Sequence, residues 1–221
     1  MKKVLLSATI ACSLFASGDV YSDVVKPLFL DATSNKSIGR LLPTNAVKIT
    51  EEGSDRVKVV IRGYKNPAVD NVIYYSDSQR VIAAVFAKTV KIDYKMIEKG
   101  KDGKWDKVEV VAYTPKGEFV NEVSSMFARA DQMYKDNCGI CHTAHATDHY
   151  KANQWPNLVK SMLSRTAIDK KDEWLITQYL QIHVLKAKLT KRIQQQRRSA
   201  QPINIIITVN DDFFALLPRL F

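Results

Sequence analysis

Apolar and polar residues alternate in short bursts along the first half of the chain and recur every three to four positions along the second. Val47-Lys48-Ile49-Thr50 runs into the polar turn Glu51-Glu52-Gly53-Ser54-Asp55. Val57-Lys58-Val59-Val60-Ile61-Arg62-Gly63-Tyr64 then returns with the near-alternation of a half-buried strand. Residues 71–75 and 81–86 form a second apolar pair around Ser76-Asp77-Ser78. Residues 90–97 and 105–113 form a third, joined by Lys99-Gly100-Lys101-Asp102-Gly103-Lys104, whose glycines suit positive backbone angles. Strands at this spacing, with no helix between them, predict a small β-barrel or sandwich over residues 19–116. The period changes after Pro115. Phe119, Val123, Met126, Phe127, Ala130 and Tyr134 recur at helical spacing through residues 118–134. Two further helices are predicted: residues 157–163 behind an Asn157 cap, and residues 174–183 behind Asp169, with Leu175, Ile176, Tyr179 and Leu180 as the buried stripe.

Cys138-Gly139-Ile140-Cys141-His142 follows the first of these helices. C-x-x-C-H is the attachment pattern of a c-type haem: two sulfurs reach the two vinyl groups of one porphyrin, and the next imidazole is aimed at the iron. A zinc site would need a second ligand pair about a dozen residues away, and a thioredoxin-like dithiol a βαβ setting; neither is found in the sequence. One covalent haem c on Cys138 and Cys141, with His142 as axial ligand, is therefore expected. Met162 is the first choice opposite it, because it lies twenty residues after His142 on a helix that Trp155 and Pro156 can steer back over the porphyrin; a thioether there favours ferrous iron and raises the potential. His149 is the runner-up for that position. His145 lies too near His142 to wrap around the ring, His183 ranks behind it, and Met126 and Met133 are assigned to packing.

Composition alters this picture in two places. The 221 residues carry a formal net charge of +10, which looks like a nucleic-acid signal until it is divided along the chain. Lys2 and Lys3 give +2 to residues 1–18, and residues 184–221, with seven basic and two acidic residues, give +5. Residues 19–183 keep only +3, so nucleic acid is not an expected partner. Residues 1–18 have two lysines, an apolar run containing Cys12, and small residues at Ala16-Ser17-Gly18, which is the layout of a secretory signal peptide. Cleavage there leaves no predicted transmembrane segment, no structural disulfide and an exported chain, so a periplasmic location is expected.

Gly39-Arg40-Leu41-Leu42-Pro43 through Arg62-Gly63-Tyr64 resembles a bacterial SH3-like barrel. The motif at 138–142, Asp148-His149-Tyr150, Ala152-Asn153-Gln154-Trp155-Pro156, Lys160-Ser161-Met162 and Gln178-Tyr179-Leu180-Gln181 together resemble the C-terminal monohaem domain of the pentahaem c-type cytochromes of trimethylamine N-oxide respiration. The expected fold is α+β: an SH3-like β-barrel over 19–116, then a helical class I-like cytochrome c domain over 117–183. The resemblance implies an electron carrier, not an enzyme, that passes single electrons from an upstream quinol-linked donor to a periplasmic molybdopterin reductase of N-oxides or S-oxides. With one C-x-x-C-H, the chain is expected to depart from that family in lacking the quinol-side haems. The rival readings are a haem-based ligand binder or sensor, and an adaptor for reductase assembly with a structural haem. Residues 184–221, basic and then apolar, match nothing in that family; they read either as a shifted reading frame or as a membrane- or partner-binding tail.

Overall fold

The computed structural model describes residues 18–140 and 143–199, with side chains as far as Arg197. The chain through Lys186 forms one compact unit, and a second begins at Ala187. Cys12 and nearly all of the predicted signal peptide lie outside the described residues, as do Cys141, His142 and residues 200–221.

The strands are β1 (Val20–Ser22), β2 (Lys26–Leu28), β3 (Gly39–Leu41), β4 (Ala46–Glu52), β5 (Arg56–Lys65), β6 (Val72–Tyr74), β7 (Ile82–Phe86), β8 (Lys95–Glu98), β9 (Asp106–Pro115) and β10 (Phe119–Val120). They make one antiparallel sheet in the order β10-β1-β4-β5-β6-β7-β3-β2, with β9 along the other side of β5 and β8 beyond it. The three predicted hairpins correspond to β4–β5, β6–β7 and β8–β9. Alternation explains which face is buried. Val57, Val59 and Ile61 of β5 and Val110 and Ala112 of β9 enter one core with Leu28, Leu41, Ile73 and Phe86, while Val111 faces solvent. The sheet is curled enough for the chain just after β2 to meet β9, where Phe29 and Tyr113 exchange backbone hydrogen bonds of 2.8 and 2.9 Å.

Strand β5 pairs with β9 along its whole length, but on its other side it changes partner from β4 to β6. Gly63 sits at that change. A Cβ there would lie 2.5 Å from the Tyr74 carbonyl oxygen and closer still to Ile73 Cγ2. Gly63→Val should therefore destabilise the protein by roughly 3 kcal/mol through overpacking against backbone. An unchanged denaturant midpoint for that variant would show that the two strands separate freely.

The helices follow: α1 (Val123–Cys138), α2 (Trp155–Leu163), a single 3-10 turn at Lys170–Asp172, and α3 (Glu173–Ser199). Lys26, 1% exposed, sets the departure of the chain towards α1: its ammonium donates to the Gly117 carbonyl at 2.9 Å and to Glu118 at 3.2 Å. Both turn residues have positive φ. Arg129 then ties α1 to the end of β1 by a two-pronged pair with Asp23, at 3.1 and 2.8 Å. Helix α3 is buried on every side from residue 175 to residue 182, as a central helix is. Two of its buried amides donate inward: Gln178 to the Ile82 carbonyl of β7 at 2.8 Å, and Gln181 to the Ala152 carbonyl at 2.9 Å, while the Gln178 Oε1 is buried without a hydrogen-bond partner among the described residues.

The expected α+β arrangement, an SH3-like barrel followed by a helical class I-like cytochrome c domain, is overturned. The strands form one sheet curled into a half-barrel, and the helices share a core with it instead of building a helical domain of their own. Val81, beside β7, is fully buried in the cluster of α1 and α3 residues, and Tyr21 and Val120 of the sheet pack on the same cluster. Helical periodicity revealed which faces were apolar but not that a sheet covers them. Phe119 also moves: it belongs to β10, paired with Ser22 of β1, and α1 starts four residues later. Asp169 caps the 3-10 turn, accepting from the Lys171 N–H at 3.0 Å, and Gln154 instead of Asn157 stands at the N-cap of α2, with Pro156 in its first turn.

Between α1 and α3, Asp131 accepts from Lys135 at 2.6 Å and from the Tyr179 hydroxyl at 2.5 Å. The Lys135 hydrogen bond first, and the Tyr179 one second, hold the Asp131 carboxyl below its usual value of 3.8. Because the folded value is the lower, this contribution is present above pH 3.8 and is lost as pH falls through the folded value. Acid unfolding of Asp131→Asn, followed by circular dichroism, should accordingly show a shallower loss of stability than the parent in that window. Superimposable acid limbs would remove Asp131 from the packing of these two helices.

Candidate haem site

Helix α1 ends at Cys138, where the Gly139 N–H closes the last turn onto the Lys135 carbonyl at 3.2 Å. Cys138 is half-buried at the margin of the helical core, together with Met133, Ala144, Tyr150, Leu158 and Val159. Burial pushes its thiol above the ordinary range. Cys141 and His142 lie outside the described residues. Ile140, inside the motif, is 76% exposed. Met162, 36% exposed, lies one helical turn beyond Leu158 on the same face of α2, at the rim of the core that holds Cys138. A thiol at a helix end, apolar side chains left in solvent and a thioether on α2 are groups of the kind that suit a covalent haem.

The chain after the motif is held at several points. The Tyr134 ring is buried on α1, and burial pushes its phenol up to about 12, so it stays a neutral donor; it donates to the His145 carbonyl at 2.9 Å. Trp155, 3% exposed, donates its indole N–H to the Thr147 carbonyl at 3.1 Å and meets the Tyr134 ring edge-on, with centroids 6.0 Å apart. Ala152 is buried and accepts from Gln181. Asn153 accepts from the Arg80 N–H at 3.1 Å, and Gln154 accepts from the Lys151 N–H at 2.8 Å. The Ala-Asn-Gln-Trp-Pro run thus fastens this loop to α3, to the chain before β7 and to its own turn.

The alternative ligands sit differently. His145 and His149 are exposed and stacked face to face, centroids 4.8 Å apart, and Tyr150 stands edge-on to both. His183 is turned into the packing of α1 and α3, donating Nδ1–H to the Tyr179 carbonyl at 2.8 Å and meeting the Phe127 ring. Met126 is buried in the core of α1. Sequence reading missed Gln178 and Gln181 as anchors. Their signal was two amides within a helical stretch that is otherwise apolar at the same positions.

The chain is similar to c-type cytochromes. Residues 15–119 match the family described as the TorC third cytochrome c domain. Cytochrome c-type protein TorC of Escherichia coli K12 is 30% identical over 173 residues, 76% of this chain and 44% of the relative. TorC of Escherichia coli O157:H7 matches to the same extent. Cytochrome c-type protein TorY of Haemophilus influenzae is 24% identical over 146 residues, 64% of this chain and 40% of the relative. The chain therefore spans less than half the length of these relatives. No solved structure matches it. The family match falls on the sheet, ahead of the C-x-x-C-H, so the β region is itself part of the likeness to TorC. Among the described residues, no helix is long and apolar enough to cross a membrane.

Trp155→Phe keeps the ring but leaves the Thr147 carbonyl without its donor, a loss of about 1–3 kcal/mol. Faster amide exchange across residues 143–150, with the sheet unchanged, is the expected result. Protection equal to that of the parent would show that the indole N–H does not hold the loop.

Proposed function

We propose that this chain is a periplasmic electron carrier that passes single electrons to a molybdopterin N-oxide or S-oxide reductase. In this reading Cys138 and Cys141 attach one haem c, and His142 and Met162 are its axial ligands. The observation that carries it is the C-x-x-C-H that begins at the end of α1 in a chain similar to the c-type cytochromes TorC and TorY. When bound, haem supplies a one-electron ferric–ferrous couple at fixed geometry. The chain's own residues supply the rest. Tyr134 and Trp155 hold the loop that follows His142, and the core around Cys138 excludes water from one side. Ile140 and Met162 supply an apolar rim, and Lys160 and Arg165 lie exposed close to Met162. Exposed cations beside such a rim favour brief docking, in which complementary charge governs the association rate more than the affinity.

The test begins with the intact mass of the exported protein, which should carry the increment of one haem. Met162→Ala should then abolish the methionine–iron charge-transfer band, lower the midpoint potential and open the iron to carbon monoxide. A band that survives the substitution would transfer the second ligand to another residue, His149 first. A mature protein without the haem increment would end the electron-carrier reading.

A further inference from the structure

The described residues of the second unit, from Ala187 to Ser199, continue α3 with a charge pattern unlike the rest of the chain. Lys188, Lys191, Arg192, Arg197 and Arg198 are basic, and there is no acidic residue among them. Residues 188–197 are all exposed. Leu189 and Ile193, 59% and 43% exposed, are four positions apart and so form one short apolar stripe. Lys188 and Arg192 make the neighbouring row, and Arg197 lies one turn past Ile193. Cations therefore border the stripe on one side and at its far end. None of this serves the candidate haem site.

We propose that this segment is a docking helix for an anionic phospholipid surface. Leu189 and Ile193 enter the boundary between headgroups and acyl chains, while the flanking lysines and arginines meet lipid phosphates. Lys188, Lys191, Arg192 and Arg197 are spread around the helix and do not gather into one patch. That distribution suits a fluid surface, whose anionic lipids rearrange around the helix, better than a fixed acidic face on a protein. The inference is independent of the electron-carrier reading.

The experiment uses the full chain and sedimentation with vesicles of phosphatidylcholine alone or mixed with phosphatidylglycerol. Binding to the anionic vesicles at low salt should be at least tenfold stronger than to the neutral ones and should fall sharply in 0.5 M salt, about three times the physiological ionic strength. The double variant K188Q/R192Q should lose most of that binding, and L189S/I193S should weaken it severalfold, both with the parent's circular dichroism. Equal binding to the two vesicle types, or no sedimentation with either, would overturn the proposal. So would capture by immobilised polyglutamate without vesicle binding, which would assign the segment to an acidic protein partner. Wild-type binding by the leucine–isoleucine variant would overturn the seating of the stripe.

Discussion

Two buried glutamine amides on α3 hold the arrangement together. A helix surrounded on every side is ordinarily built of apolar residues, because an amide taken out of water costs free energy unless its hydrogen bonds are replaced. Here each replacement is an anchor to another part of the chain: Gln178 reaches the Ile82 carbonyl of the sheet, and Gln181 reaches the Ala152 carbonyl in the loop after the C-x-x-C-H. Between them, Tyr179 reaches Asp131 of α1. One turn of helix thus fixes sheet, first helix and post-motif loop relative to one another. The position of Cys138 follows from those three contacts.

The parts legible in the sequence were those with a long enough pattern. The β5 and β9 strands are ten residues each and alternate clearly, and their hairpin partners could be found from them. Strands β1, β2, β3 and β10 have two or three residues, too few for any period, and they form only because the curled sheet offers an edge. Phe119 shows the limit well: its spacing continues the helical stripe of α1, yet it pairs with β1. The larger error, a self-contained helical domain, has the same origin. An apolar face states that something covers it and is silent on what does. At the site, spacing alone singled out the motif that begins at Cys138. The role of Trp155 was not, because a carbonyl eight residues earlier becomes its partner only once the loop has closed.

The comparison with TorC brings the two halves of the chain into one account. A family model named for a cytochrome domain matches the sheet, which lacks any C-x-x-C-H within the matched residues. The shared core gives this a physical sense. Val81, Tyr21 and Val120 complete the packing of the helices, so the sheet is the floor on which the thiol-bearing helix is laid. Removing either half would expose the apolar face of the other.

The post-motif loop is fastened from downstream. Gln181 follows the C-x-x-C-H by about forty residues, and a chain that emerges and folds from its N-terminus exposes the thiols well before the glutamine is available. During that interval the sheet can already be formed while the loop still hangs open. The loop after the motif therefore stays unfastened until α3 has been made, and it is the last part of the core to be tied down.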